Sequence, residues 1–419
     1  MSTVEPLSYR RPAQPPRRRR RLWPLALLLA IVLLLAAAVV RAETETTPPL
    51  ALQRTVARVV RVPGKPFHPA WPAEGEAAVA VEGLGSLGAS GAEKPVPIAS
   101  VAKVMTAYLV LQQHPLEPGS EGFRIRISRA DVEDLHQRIA LDESVVEVKA
   151  GEVLSERQAL EALLLPSANN VAALLAVHAA GSIEAFVAEM NEAAAELGMS
   201  ATHYTDPSGF EETTVSTAAD QLRLARTAMA NPAFAQIVAK PSAKLPVAGV
   251  VANYNELVGH EGFVGIKTGS DSAAGGCLLF AKRIEVGGRT LTVLGAVLGQ
   301  REGELVDAAL ASADSLAASV AAAVRVATVI PGGTKVMVAQ GPDGKRAAAV
   351  TTRPVRQLGW AGMPVRVKVR TFAAGHSLEQ GQRVAALTAV GTSSVRVPVI
   401  ARSALPAPSL FWRLRHLDG

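Results

Sequence analysis

The chain has 419 residues, 49% hydrophobic, 4% aromatic and 19% charged, a balance that supports at least one large folded core and excludes wholesale disorder. Its net charge of +6 resides in the first 41 residues, which hold eight Arg against the single acid Glu5, while everything after them sums to −1. A basic nucleic-acid-binding body is thereby excluded, and no nucleic-acid partner is expected.

Residues 1–21 are a basic tail with Arg10, Arg11 and Arg17 to Arg21, followed at once by residues 22–40, LWPLALLLAIVLLLAAAVV, an uncharged run close to the roughly 20 apolar residues that cross a bilayer. A membrane segment is predicted there. Arginines on its N-terminal side place that side in the cytoplasm and the rest of the chain outside it. The run is longer than a signal-peptide core, which favours a retained anchor; the alternative is a body secreted after cleavage near Val40-Arg41-Ala42. Exported chains often use disulfides, but the only cysteine is Cys277, so packing must hold this fold. Cys277 lies in the apolar run Cys277-Leu278-Leu279-Phe280 and is expected to be a buried structural thiol.

Residues 41–72, with Thr46-Thr47-Pro48-Pro49 and no sustained periodicity, predict a linker. A strand is expected over 77–81 and a helix over 100–114, stopped by Pro115. Ser155 with Gln158 makes a capping box, and Pro166 breaks that helix immediately before Ser167. Further helices are predicted from Asn170, over 182–197 and over 216–230. Apolar strand patterns return over 262–268, 277–282 and 290–298, followed by a helix over 304–323. Strands at both ends of a helical middle predict one α+β domain over 73–325, an antiparallel sheet with a helical subdomain. Beyond it, strand patterns at 334–339, 364–370, 383–390 and 395–401, separated by turn signals, predict a small all-β domain with a C-terminal tail over 326–419. Residues 409–415 interleave apolar and cationic side chains, which suits either a membrane-touching helix or a terminal element packed on the β domain.

Three short strings carry chemistry. In Ile98-Ala99-Ser100-Val101-Ala102-Lys103, helical spacing puts Ser100 and Lys103 one turn apart on one face. A serine hydroxyl is a poor nucleophile until a base takes its proton, and a lysine desolvated near other cations is neutral enough to do so. The N-terminal N–H groups of that helix lie where negative charge would develop. Ser and Lys at this spacing are also common on solvated helices, so the string alone is weak. Ser167-Ala168-Asn169, in the break after Pro166, offers a hydroxyl that can relay a proton and an amide that can grip a peptide group, though both residues also suit ordinary turns and caps. Lys267-Thr268-Gly269, ending a strand and followed by Ser270, offers a cation and a hydroxyl for a substrate carboxylate, with glycine admitting a ligand to the strand backbone. Their order, S-x-x-K, S-x-N, K-T-G, each on the required element type, lifts all three.

At these residues the chain resembles the penicillin-binding proteins and serine β-lactamases, and more closely the low-molecular-mass D-alanyl-D-alanine carboxypeptidases of peptidase family S11. The resemblance runs over about residues 70–325. It includes Asn191, Leu197-Gly198-Met199, Thr202-His203-Tyr204, Asp206-Pro207-Ser208-Gly209, Ser216-Thr217-Ala218 with Asp220, and Gly265-Ile266 leading into Lys267, in wording similar to actinobacterial members. It implies a β-lactamase/transpeptidase-like fold and removal of the terminal D-Ala from peptidoglycan stem pentapeptides, with β-lactams as inhibitors. Ser100 is then the nucleophile, Lys103 its base, Ser167 a proton shuttle, and Asn169 the holder of the acyl-side amide. Lys267 and Thr268, with Gly269 beside them, bind the terminal carboxylate, and the N–H groups of Ser100 and Ser270 form the oxyanion hole. Ala168 departs from the Gly or Asp often found at the middle of the second motif, a permissive position. The resemblance also links residues 326–419 to a non-catalytic β domain.

Two rivals share the pattern. A serine β-lactamase needs fast deacylation, and no E-x-x-L-N element follows Ser167; an inactive envelope scaffold has no need of Ser100, Lys103, Asn169 and Lys267. No H-E-x-x-H string, histidine cluster or phosphate loop occurs, so no metal and no cofactor is expected.

Overall fold

The computed structural model of the chain describes residues 23–45, 47–117 and 119–416; the basic tail over 1–21 lies outside them. Helix α1 (Trp23–Thr44) has 22 residues, which at 1.5 Å per residue gives about 33 Å, the thickness of a bilayer core. Its apolar side chains are exposed along almost the whole length, Leu25, Leu29 and Leu34 among them, as a lipid-facing helix requires.

Strands β1 (Ala51–Arg54) and β2 (Val59–Arg61) follow, within the stretch predicted to be a linker. Both pair with strands near the C-terminus, Ala51 opposite Gln340 and Val60 opposite Val365. This corrects the linker assignment. Three or four mostly exposed residues carry no internal periodicity, and their pairing is imposed by partner strands some 300 residues away.

The body opens with β3 (Glu76–Val81) and β4 (Gly85–Ser90), and a 3₁₀ turn (Ala99–Ala102) leads into α2 (Lys103–Gln113). Helices α3 (Arg129–Ala140), α4 (Glu156–Leu164), α5 (Asn169–Ala180), α6 (Ile183–Glu196), α7 (Ala218–Met229) and α8 (Pro232–Val238) form the helical layer around α2. Ser155 accepts from the Gln158 backbone and Gln158 returns the bond to the Ser155 N–H, the predicted capping box. The helix predicted from Ser216 starts two residues later, because Ser216 is in a short strand and Thr217 provides the cap. Strands β5 (Phe263–Asp271), β6 (Gly275–Val286) and β7 (Arg289–Gln300) complete an antiparallel sheet ordered β5-β6-β7-β3-β4. The first strand of the body thus closes beside the last. Helix α9 (Leu305–Ala323) is long and apolar enough to cross a membrane, yet it packs Ala309, Ala313, Leu316, Ala317 and Val320 at helical spacing onto this sheet.

Strands β8 (Arg325–Ile330), β9 (Lys335–Gln340), β10 (Arg346–Thr351), β11 (Val355–Gly359), β12 (Pro364–Thr371), β13 (Arg383–Val390) and β14 (Ser394–Ala401) make the all-β part. Its main sheet runs β1-β9-β10-β14-β13-β12-β2, with β8 and β11 paired separately. A core of its own includes Val336, Val365, Leu387 and Val397. Helix α10 (Leu410–Arg415) then packs against α1, and none of its residues is buried. The charge of −1 after residue 41 divides unequally: residues 42–72 carry +2, residues 73–325 carry −13 and residues 326–419 carry +10.

Candidate active site

Ser100 is on the 3₁₀ turn and not within the α-helix, which begins at Lys103. In a 3₁₀ turn residues i and i+3 eclipse, so the spacing that suggested one helical face brings these two side chains directly together. Lys103 Nζ donates to Ser100 Oγ at 2.7 Å and to the Ser208 carbonyl at 2.9 Å. Ser100 is partly exposed, whereas Lys103 is fully buried. Burial first, and the neighbouring Lys267 second, hold the Lys103 ammonium well below its ordinary pKa, with Asp206 and Glu143 pulling the other way. The hydroxyl therefore has a base at hydrogen-bond distance that gives up its proton readily.

A second turn holds this one. Asp206 Oδ2 accepts from the Ser208 N–H at 3.0 Å, the Ser208 hydroxyl at 2.6 Å and the Phe210 N–H at 3.0 Å, and Oδ1 accepts from Thr214 Oγ1 at 2.7 Å. The folded turn presents the Ser208 carbonyl to Lys103 and the Pro207 carbonyl to Thr106 Oγ1, at 2.6 Å. Gly209 completes it at φ +77°, where a side chain would lie 1.9 Å from the Ala99 carbonyl oxygen. Asp206-Pro207-Ser208-Gly209 was visible in the sequence as one of the strings that carry the family resemblance, but its clamp on the Ser100 turn depends on tertiary contact.

Ser167 takes φ +68° and Ala99 φ +46°, left-handed conformations that cost a non-glycine residue about 1–3 kcal/mol and concentrate at functional sites. One is a predicted site residue and the other precedes Ser100. Ser167 Oγ is buried with no hydrogen-bond partner. Asn169 starts α5, and its Nδ2 donates to Glu143 Oε2 at 2.7 Å. Arg138 Nη1 donates to the same carboxylate oxygen at 2.9 Å, so a buried carboxylate fixes the amide. Since a carboxylate only accepts, the amide NH₂ must face Glu143, and Asn169 Oδ1 is left unpartnered and turned from it. Neither Glu143 nor Arg138 was singled out in the sequence; their value lies in a contact across 26 residues that no local pattern encodes.

Lys267, Thr268 and Gly269 lie on β5, an edge strand whose neighbour on one side is β6 and whose other side meets the 3₁₀ turn. A Cβ on Gly269 would stand 2.9 Å from the backbone nitrogens of Ser100 and Val101, so only glycine permits this approach. Lys267 is 1% exposed, its Nζ has no hydrogen-bond partner, and burial lowers its pKa to about 7. Thr268 is buried and Ser270 exposed on the same strand. The eight predicted residues thus fall into a bonded pair, an amide tied to Glu143, an edge strand against the Ser100 backbone, and Ser167, which makes no side-chain bond to the others. Cys277, opposite Gly269 on β6, is buried, and burial raises its pKa to about 12, as a structural thiol requires.

An antiparallel sheet whose edge strand faces a Ser-x-x-Lys turn in a helical layer is the fold of the serine transpeptidases. The crystal structure of the Streptomyces K15 DD-transpeptidase shares it, with a TM-score of 0.51 at 27% identity over 62% of this chain and 98% of that one. The chain belongs to the D-alanyl-D-alanine carboxypeptidase family, whose model matches residues 75–300. It is similar to the D-alanyl-D-alanine carboxypeptidase DacB2 of Mycobacterium tuberculosis, 39% identical over 185 residues, 42% of this chain and 59% of that relative. The match thus spans about three fifths of that relative's length. Penicillin binding protein 5 from Haemophilus influenzae has a TM-score of 0.55 over 82% of this chain and all of its own; at 16% identity the likeness is one of fold.

Proposed function

We propose that this chain is a membrane-anchored serine D-alanyl-D-alanine carboxypeptidase that removes the terminal D-Ala of peptidoglycan stem pentapeptides. The observation that carries this reading is the 2.7 Å bond between Ser100 Oγ and the Nζ of a buried lysine with depressed proton affinity. Lys103 takes the hydroxyl proton as Ser100 Oγ attacks the carbonyl of the penultimate D-Ala. The oxyanion is held by the Ser100 and Ser270 N–H groups. Collapse breaks the C–N bond; the departing D-Ala nitrogen collects a proton relayed by Ser167, and an ester on Ser100 remains. Water then adds to that ester and the second product leaves with the hydroxyl proton restored. Asn169 Oδ1 accepts from the acyl-side amide, while Lys267 and Thr268 hold the terminal carboxylate. The anchor is residues 23–44, with the catalytic body on the extracytoplasmic side and residues 73–325 and 326–419 as separate domains.

The test is D-Ala release from a stem pentapeptide by the full chain in detergent, beside Ser100→Ala. Release above the variant's level is expected; equal release sinks the reaction. Fluorescent penicillin distinguishes the β-lactamase alternative, since a carboxypeptidase retains the label through electrophoresis and a β-lactamase sheds it.

A further inference from the structure

Residues 326–419 carry +10, and between 326 and 416 the only acids are Asp343, paired with Lys345, and Glu379. Much of this charge gathers on one face of the main β sheet. Along β12 burial alternates, so Val365 and Val367 enter the core while Arg366, Lys368 and Arg370 stand exposed on the outer side. Register carries the pattern across neighbouring strands: Arg61 of β2 lies opposite Pro364, and Thr388 of β13 lies between Lys368 and Arg396 of β14. Strands β2, β12, β13 and β14 contain no carboxylate. Where β2 meets β12, an open cleft of about 400 Å³ is lined by Arg54, Arg58, Arg366 and Lys368 and by no acid. Charge alone suits any dissolved polyanion, but the face is also apolar. Val59 and Val390, the cross-strand neighbours of Arg366, are 49% and 37% exposed. Exposed valines flanking a cation suit a lipid interface, where the cation meets phosphate and the apolar side chains sink toward the acyl boundary. The face is also tethered there: α1 ends at Thr44 and β1 begins at Ala51, at most about 25 Å of extended chain.

We infer that the outer face of β2, β12, β13 and β14 rests on the anionic phospholipid surface of the membrane that holds α1. Arg61, Arg366, Lys368, Arg370 and Arg396 meet the lipid phosphates, and Val59 and Val390 enter the interface between them. Residues 73–325, at −13, are repelled by the same surface, so the division of charge turns the Ser100 site away from the lipid. The contact is independent of the reaction that Ser100 performs.

A polarity-sensitive thiol dye on Val390→Cys reads the contact in the full chain, since Cys277 is buried. The same dye on Val250→Cys, a position 74% exposed within residues 73–325, is the control. In vesicles of phosphatidylcholine with phosphatidylglycerol at low salt the dye at 390 should shift to the blue, and in phosphatidylcholine alone it should not. The shift should vanish in about 1 M salt, where the screening length is about 3 Å. A cation near an anionic surface strengthens binding about fivefold, so Arg366→Gln, Lys368→Gln and Arg370→Gln together should weaken the contact about 100-fold and remove the shift. Arg366→Lys with Arg370→Lys keeps the charge and should keep the shift, which separates charge from any loss of folding. A dye at 390 that shifts in neither vesicle, shifts equally in both, is matched by the dye at 250, or keeps its shift in the glutamine variant overturns the inference. A shift produced by dissolved poly(glycerol phosphate) and not by vesicles overturns it too, and assigns the face to a soluble polyanion.

Discussion

Replacing Gly209 with alanine tests whether the Asp206 turn sets the geometry of the Ser100 turn. The new methyl would stand 1.9 Å from the Ala99 carbonyl oxygen and 2.5 Å from its carbon, against roughly 3.3 Å for an ordinary carbon to oxygen contact, so one turn must retreat by more than about 1 Å. Two costs add. Alanine at φ +77° costs about 1 kcal/mol, and the forced displacement adds a typical overpacking cost of about 1–3 kcal/mol. The Ser208 carbonyl neighbours Gly209 in the chain, so a retreat of that size stretches its 2.9 Å bond to Lys103 beyond hydrogen-bond range. A misplacement near 1 Å at reacting groups costs about 10²-fold in rate. Gly198 is the control: it has φ +71° but open space where a Cβ would go, so Gly198→Ala incurs the backbone cost alone. Penicillin acylation rates and urea midpoints measured on both variants should show loss of about 2–4 kcal/mol and about 100-fold slower acylation for Gly209→Ala, against about 1 kcal/mol and a parental rate for Gly198→Ala. A folded Gly209→Ala chain acylated within twofold of the parent refutes the coupling of the two turns.

Lys267, buried with its pKa lowered to about 7, binds fewer protons folded than unfolded between pH 7 and the ordinary lysine value, so the pair of buried lysines makes stability rise with pH through that window. Lys267→Met, which removes a buried unpaired amine, should flatten that rise and raise the urea midpoint while lowering kcat/KM on the pentapeptide by about 100-fold; a lower midpoint contradicts the unpaired burial. Because a substrate carboxylate needs Lys267 charged, KM for the pentapeptide should climb above pH 7, and a peptide amidated at its C-terminus should lack that climb. Cys277 should be silent to a thiol reagent in the native chain and titrate as one thiol in guanidinium, with native reaction counting against its burial.

Local signals served where the physics is local. The S155-x-x-Q158 box, the Pro166 break and the apolar run of α1 each depend on neighbours within a few residues, and each is present in the fold. The catalytic strings were legible for a related reason: Ser100 and Lys103 must share a turn, and Gly269 must be glycine because two backbone nitrogens stand 2.9 Å from its missing Cβ. What escaped notice depends on partners far along the chain. Strands β1 and β2 are four and three residues long, so their existence comes from the exposed edges of β9 and β12 rather than from any pattern of their own. Glu143 sits in a stretch without helix or strand, yet it decides which way the Asn169 amide points and thereby which of its atoms a peptide meets. A motif scan finds the groups that react because chemistry restricts their identity. Groups that orient them are restricted only in where they arrive, which explains why a carboxylate at 143 could hold the site without marking itself in the sequence, and why the Asp-Pro-Ser-Gly string at 206–209 was legible while its clamp on the Ser100 turn was not.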